Sequence, residues 1–283
     1  MSILLAIANH KGGVGKTTTV VNLAAYLLKY YPNIMVLDMD PQANTSKWLC
    51  PNSDDMKIKI QDVLLYGVAN DLQDADKKAV FNELARKATV DILKTEGVIS
   101  IIPASLALSK AKIELARHES VLYFRIIDAI RTIAEGYDLM IIDTPPSIEL
   151  LTSAAITASD YVIIPIELDR PSVDGALDII NEIVTMVHRY YNPALEVLGI
   201  IINKWQKTKV AASTKAFVKD LFKDLIFKTE LRRSVKIGDL ITTRGNVRES
   251  SAGTKSDDEF TALCDEIYKR IERASRVRQK KAG

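Results

Sequence analysis

Short apolar runs alternating with amphipathic stretches predict an α/β fold, with a mostly parallel, twisted sheet covered by helices on both faces. Two observations carry this reading. The runs at 3–8, 34–38, 98–102, 139–142, 161–166 and 197–202 are nearly continuous in Ile, Val and Leu, as strands buried on both faces require. Helical periodicity fills the intervals near 16–30, 105–117, 119–134, 148–158, 174–190, 211–225 and 257–275. With 283 residues and 47% hydrophobic composition the chain can bury one full core, and no flexible linker divides it, so a single domain over 1–283 is expected. Residues 50–97, with a polar loop from Pro51 to Lys59 and an amphipathic stretch around Val80, Phe81 and Leu84, are expected as a peripheral helical elaboration, and 276–283 as a basic tail.

The first strand, Ile3 to Ala8, leads into Lys11-Gly12-Gly13-Val14-Gly15-Lys16-Thr17-Thr18, and an amphipathic helix follows. A glycine-rich turn between strand and helix aims backbone N–H groups and the helix's positive end at phosphates, Lys16 can reach β/γ oxygens, and the Thr17 hydroxyl can ligate Mg²⁺. The sequence therefore predicts a P-loop nucleoside triphosphatase. The loop lacks the leading glycine of G-x-x-x-x-G-K-[ST] and carries a second lysine, Lys11, ahead of Lys16. Asp143 ends the apolar strand Leu139 to Ile142, which puts a carboxylate beside the phosphates where it can hold Mg²⁺. Asp38 and Asp40 follow the strand Ile34 to Leu37. Ligands in such sheets sit at the carboxyl ends of the strands, where the loop, Asp40 and Asp143 converge. Ile200-Ile201-Ile202-Asn203-Lys204 ends a strand as a GTPase N-K-x-D motif would, but position 206 is Gln. The carboxylate that reads guanine is missing, so ATP is favoured, with the Asn203 amide a candidate adenine contact.

The motif Lys11 to Thr18, together with Asp38-Met39-Asp40-Pro41-Gln42-Ala43-Asn44, Ile101-Ile102-Pro103-Ala104-Ser105-Leu106 and Ile141-Ile142-Asp143-Thr144-Pro145-Pro146-Ser147, resembles the deviant Walker A, switch and Walker B blocks of the ParA/MinD superfamily. The resemblance reaches to about Asn203 and is looser beyond. It implies that Asp40 orients the attacking water and that Lys11 crosses into the partner's site in an ATP-sandwiched homodimer. It further implies a weak Mg²⁺-dependent ATPase of the partition branch, which binds double-stranded DNA non-specifically and segregates plasmid or chromosomal DNA with a ParB-type centromere-binding protein.

Net charge is +2, yet from Ile200 to Arg248 twelve Lys/Arg face four Asp/Glu. Such a concentration is the footprint expected of a phosphate-backbone surface. The candidates are Lys215, Lys219 and Lys223, one stripe on the helix 211–225 opposite Phe217, Val218, Leu221 and Phe222, and the segment Arg232, Arg233, Lys236, Arg244 and Arg248. Asp220 and Asp224 flank the stripe and can offset it. Only ten residues precede Lys11, so sequence-independent binding is expected rather than base reading by an N-terminal domain.

No apolar run approaches a membrane span and the N-terminus lacks a basic leader region, so a cytoplasmic, nucleoid-associated protein with no membrane partner is expected. Three rivals remain. A MinD-like membrane-cycling regulator would expose the C-terminal stripe Phe260, Leu263, Ile267 and Ile271 to lipid. An iron–sulfur reductase would need cysteines near the switches, and Cys50 and Cys264 do not fit. A ParA-like positioning ATPase for a non-DNA cargo is the third.

Overall fold

The computed structural model describes residues 2–94, 97–116, 121–233 and 253–282. Seven strands among them, β1 (Ile3–Ile7), β2 (Asn33–Asp38), β3 (Val90–Lys94), β4 (Val98–Ile102), β5 (Leu139–Asp143), β6 (Tyr161–Ile166) and β7 (Glu196–Ile202), form one sheet in the order β3-β4-β2-β5-β1-β6-β7. All neighbours are parallel except the β3/β4 pair.

Alternate side chains of each central strand enter different layers, as the two-residue strand period requires. One face receives Leu4, Leu37 and Ile142 and is covered by α3 (Ile60–Ala69), α6 (Val121–Ala134) and α7 (Leu150–Ala158). Further along the same face Ala6 and Ile164 pack under α8 (Arg170–Asp178), α9 (Thr185–Tyr190) and α10 (Lys209–Phe222). The opposite face buries Leu5, Val36 and Ile141 beneath α1 (Lys16–Leu27) and α11 (Lys255–Ala282). The described residues also include α2 (Asn44–Leu49), α4 (Ala75–Ala88) and α5 (Ala107–Ala116), which bury Ser46, Phe81 and Leu108 respectively.

Three expectations need correction. Residues 50–97 contain not only α3 and α4 but the edge strand β3, whose Asp91 and Lys94 break up its apolar pattern. Nor is α3 peripheral: Ile60, Val63, Leu64 and Val68 are buried, each worth up to about 2 kcal/mol of apolar transfer. The helix expected at 174–190 starts at Arg170, because Asp169 caps it and Pro171 is tolerated in the first turn. The basic tail is helical through 282, the end of α11, where Arg278 donates to the carbonyls of Ala194 (2.6 Å) and Asp160 (3.3 Å).

The stripe of α11 packs inward, with Phe260, Leu263, Ile267 and Ile271 at most 2% exposed. Tyr30 stacks on Tyr268 at 4.0 Å between ring centres. No helix among the described residues is long and apolar enough to cross a membrane.

Candidate functional site

Register brings the site together. In the parallel pairs Ile7 lies opposite Asp143, and Asp38 opposite the same Asp143, so three strand ends meet where the glycine loop begins. Gly13 (φ 81°) and Gly15 (φ 90°) take left-handed backbone that a side chain would strain, and Gly15 is the N-cap of α1. Lys16, the first residue of α1, is 7% exposed, and its Nζ donates to the carbonyls of Asn9 (3.1 Å) and Lys11 (3.3 Å). Burial lowers its pKa, against the pull of Asp143 and Asp40.

Behind the loop lies an acidic cluster. Thr17 Oγ1 donates to Asp143 Oδ2 at 2.9 Å, and Thr45 Oγ1, from α2, donates to the same oxygen at 2.6 Å. The other oxygen, Oδ1, is buried with no partner. Asp38 is fully enclosed and accepts from Ser46 Oγ (2.6 Å), Ser46 N (2.8 Å) and Asp40 N (3.1 Å). Burial raises the pKa of both Asp38 and Asp143; Asp143 adds to the rise at Asp38, and Asp40 adds to that at Asp143. Asp40 is 8% exposed and accepts the Gln42 N–H at 2.9 Å. Asp143 and Asp40 both pull on the Lys16 ammonium, and the orphaned Asp143 oxygen beside the Thr17 hydroxyl suits a hard divalent cation with oxygen ligands, the rest of whose shell phosphate and water would supply. The residues present therefore fit Mg²⁺.

A cavity of about 1140 Å³ opens above this cluster, lined by Gly12, Gly13, Gly15, Lys16, Thr17, Thr18, Asp40 and Asn203, with Arg232, Arg233 and Phe260 also in its lining. Asp143 and Lys11 are not among its lining residues. Lys11 Nζ instead sits 2.5 Å from Asp169 Oδ2, turned toward the β6–α8 connection. Asn203 lines the cavity, but its amide braces the loop: Nδ2 donates to the Val14 carbonyl at 2.9 Å and Oδ1 accepts from Lys204 N at 2.8 Å.

Several of these residues escape sequence reasoning. Thr45, Asn9 and Asp169 gain their roles from partners far away in the chain and Ser46 from Asp38 across a turn, and only Asp169 carried a local signal, as an Asp before Arg-Pro at a helix start.

The DNA candidates are scattered. Glu230, rather than Asp220 or Asp224, pairs with the lysine stripe, 2.5 Å from Lys215 and 3.3 Å from Lys219. Lys223 leaves the stripe at the end of α10 with φ 45°. The opposite side is only half apolar core, since Val218 and Phe222 are buried while Phe217 and Leu221 are 56% and 40% exposed. Arg232 pairs with Glu259 at 3.3 Å, and it and Lys215 both lie against the Trp205 ring. Arg233 is exposed at the cavity mouth, with no acidic partner among the described residues. Lys236, Arg244 and Arg248 lie outside the described residues.

Glycine loop, strand-end aspartates and parallel sheet define a P-loop ATPase of the ParA/MinD superfamily. A family model described as an AAA domain matches residues 2–197. The Soj protein of Bacillus subtilis, a sporulation initiation inhibitor, is 33% identical over 242 residues, covering 84% of this chain and 87% of its own. The chromosome partitioning protein ParA of Myxococcus xanthus is 31% identical over 268 residues, covering 94% and 88%. The chain belongs to this AAA-domain, Soj/ParA family. Among solved structures, an ATP complex of Cyanothece McdA superposes with TM-score 0.77 at 22% identity, covering 94% of this chain and 96% of its own. Cobyrinic acid a,c-diamide synthase of Mycobacterium smegmatis, with bound ADP and magnesium, superposes with TM-score 0.74 at 23% identity, covering 96% of both chains. At these identities the likeness is one of fold. Cys50 and Cys264 are both buried, and among the described residues no three or more His, Cys, Asp and Glu side chains come together as a metal site, so nothing here favours an iron–sulfur role.

Proposed function

We propose that this chain is a DNA partition ATPase, binding ATP and Mg²⁺ in the cavity above Asp143 and hydrolysing ATP slowly. The observation that carries it is the convergence of Thr17 and Thr45 on one oxygen of Asp143 while the other is left buried and unpartnered, beside Lys16 in a glycine loop. Lys16 holds the β/γ oxygens, Gly12 to Thr18 supply backbone N–H groups, and Thr17 and Asp143 hold the metal. Mg²⁺, when bound, neutralises charge on the transferring phosphoryl group. Asp40, a carboxylate of the cavity lining close to Lys16, orients the attacking water.

In this reading Lys11 crosses into the site of a second copy, making ATP the link of a homodimer that hydrolysis dissolves. The dimer binds duplex DNA of the nucleoid without regard to sequence, and a ParB-type centromere-bound partner stimulates turnover. The role in chromosome partitioning of the Myxococcus xanthus relative supports the DNA cargo. A lipid-binding role finds no support in α11, whose apolar stripe is packed inside.

Sizing by light scattering with a non-hydrolysable ATP analogue tests the core of this. The wild type should pass from monomer to dimer, Lys16→Ala should bind no nucleotide, and Lys11→Ala should bind nucleotide yet stay monomeric. A wild-type dimer population in Lys11→Ala would show that this lysine does not act across the interface.

A further inference from the structure

Lys11 is held at both ends. Its backbone N–H donates to Asn9 Oδ1 at 2.9 Å, while Asn9 Nδ2 donates to the carbonyls of Pro165 (2.8 Å) and Ser172 (3.3 Å), tying the start of the loop to the end of β6 and the first turn of α8. Its ammonium lies 2.5 Å from Asp169 Oδ2 and 3.9 Å from Glu167 Oε2. The free oxygens of both acids are themselves engaged. Asp169 Oδ1 accepts the Ser172 N–H at 2.9 Å as the N-cap of α8, and Glu167 Oε1 accepts from Lys204 Nζ at 2.9 Å, which also donates to the Gly13 carbonyl. The acid pair is thus a rigid receptor, fixed by a helix cap on one side and by the phosphate loop on the other. Partial burial raises the Asp169 pKa, but Lys11 and Ser172 together outweigh that and hold it below the ordinary carboxylate value. The Lys11 and Asp169 side chains are 27% and 40% exposed, so an incoming subunit can reach the pair.

We infer that Asp169 is a positioning residue that keeps Lys11 inside its own subunit, so that dimerisation must exchange this carboxylate for the phosphates of a second copy. The inference rests on the trans role proposed for Lys11. It makes Asp169 a setting for the ATP and protein concentration at which dimers form. Two such pairs open for every dimer, and each opposes association.

The test is Asp169→Asn. Asn caps a helix about as well as Asp, so the variant removes charge while keeping the α8 cap. An ion pair of this exposure is worth roughly two- to fivefold, so with a non-hydrolysable analogue at low salt the dimer dissociation constant should fall about four- to twenty-five-fold. Affinity of the monomer for nucleotide should stay within about twofold, because Asp169 is outside the cavity lining. Raising salt should narrow the gap between wild type and variant, since screening already loosens the pair in the wild type; a packing effect would not respond. Asp169→Ser, also a capping side chain without charge, should act in the same direction.

An unchanged or weaker dimer in Asp169→Asn overturns the inference, and so does a gap indifferent to salt or opposite effects of Asn and Ser. Lys11→Ala distinguishes the two levels. If it abolishes the dimer while Asp169→Asn changes nothing, the trans role stands and the cis hold falls; if it dimerises normally, the trans role itself has failed.

Discussion

Gly175→Ala sets two effects of opposite sign against each other. Gly175 lies in α8 with no left-handed backbone to protect, so helix propensity alone predicts that Ala stabilises by about 1 kcal/mol. The added Cβ, however, would stand 2.6 Å from Asn9 Oδ1, 3.3 Å from Lys11 N and 3.4 Å from His10 Cβ. Two of these neighbours belong to the clamp at the start of the phosphate loop. Asn9 is 1% exposed and cannot retreat without giving up its bonds to Pro165, Ser172 and Lys11. Losing two of these at roughly 1 kcal/mol each, and leaving the Pro165 acceptor unsatisfied for about 1–2 kcal/mol more, outweighs the propensity gain. The net expectation is destabilisation by about 2 kcal/mol. The displaced Asn9–Lys11 segment should also weaken nucleotide binding at least about tenfold, because the Asn9 and Lys11 carbonyls position Lys16 Nζ. Urea unfolding read by circular dichroism, with a fluorescent ATP analogue titrated into the same samples, measures both. A variant more stable by the propensity increment, with wild-type nucleotide affinity, would refute the clamp.

Other consequences are more direct. Asp40→Ala should bind ATP and dimerise while its partner-stimulated turnover falls at least about a hundredfold, as loss of a water-orienting group predicts; retained turnover, read by phosphate release, would move that role to another group. Thr45→Val should lower stability by about 1 kcal/mol and weaken Mg²⁺-dependent tightening of nucleotide, since one donor that fixes Asp143 Oδ2 is gone; calorimetric titration with and without Mg²⁺ checks it. Arg233→Glu should weaken retention on non-specific duplex more than Lys215→Glu, because Lys215 is already neutralised by Glu230, and it should reduce the salt slope by about one phosphate contact. Asp265 is held below its ordinary pKa by the Lys29 ammonium, with both side chains over a third exposed, so Asp265→Asn should cost only about 0.5 kcal/mol at neutral pH. Because the folded-state pKa is depressed, that stability is present above the ordinary carboxylate range and lost as pH falls through the folded value; denaturant midpoints at pH 7 and pH 3 should show the difference shrink.

The phosphate loop was legible because its requirements are local: glycines for left-handed backbone, a lysine and a threonine in fixed order, an apolar strand before and a helix after. Asp143 and Asp38 were legible for the same reason, as polar residues ending apolar strands whose parallel pairing sets their mutual register, with Asp40 two residues further on. What the sequence concealed was long-range. Asp169 meets Lys11 from 158 residues away, and nothing in either neighbourhood announces it. The basic stretch misled by composition: Glu230 follows the lysine stripe beyond a turn and Glu259 belongs to α11, so charge counted along the chain overstated the charge free in space. β3 was missed because an edge strand need bury only part of its pattern, and Asp91 and Lys94 diluted the apolar signal.

Retention on non-specific duplex DNA, followed as a function of nucleotide for wild type, Lys16→Ala and Asp40→Ala, tests the partition reading most directly. The account predicts that wild type binds with ATP and is released as ATP is consumed, that Asp40→Ala stays bound, that Lys16→Ala never binds, and that salt weakens every bound state steeply. Equal binding by all three proteins, with and without ATP, would contradict it.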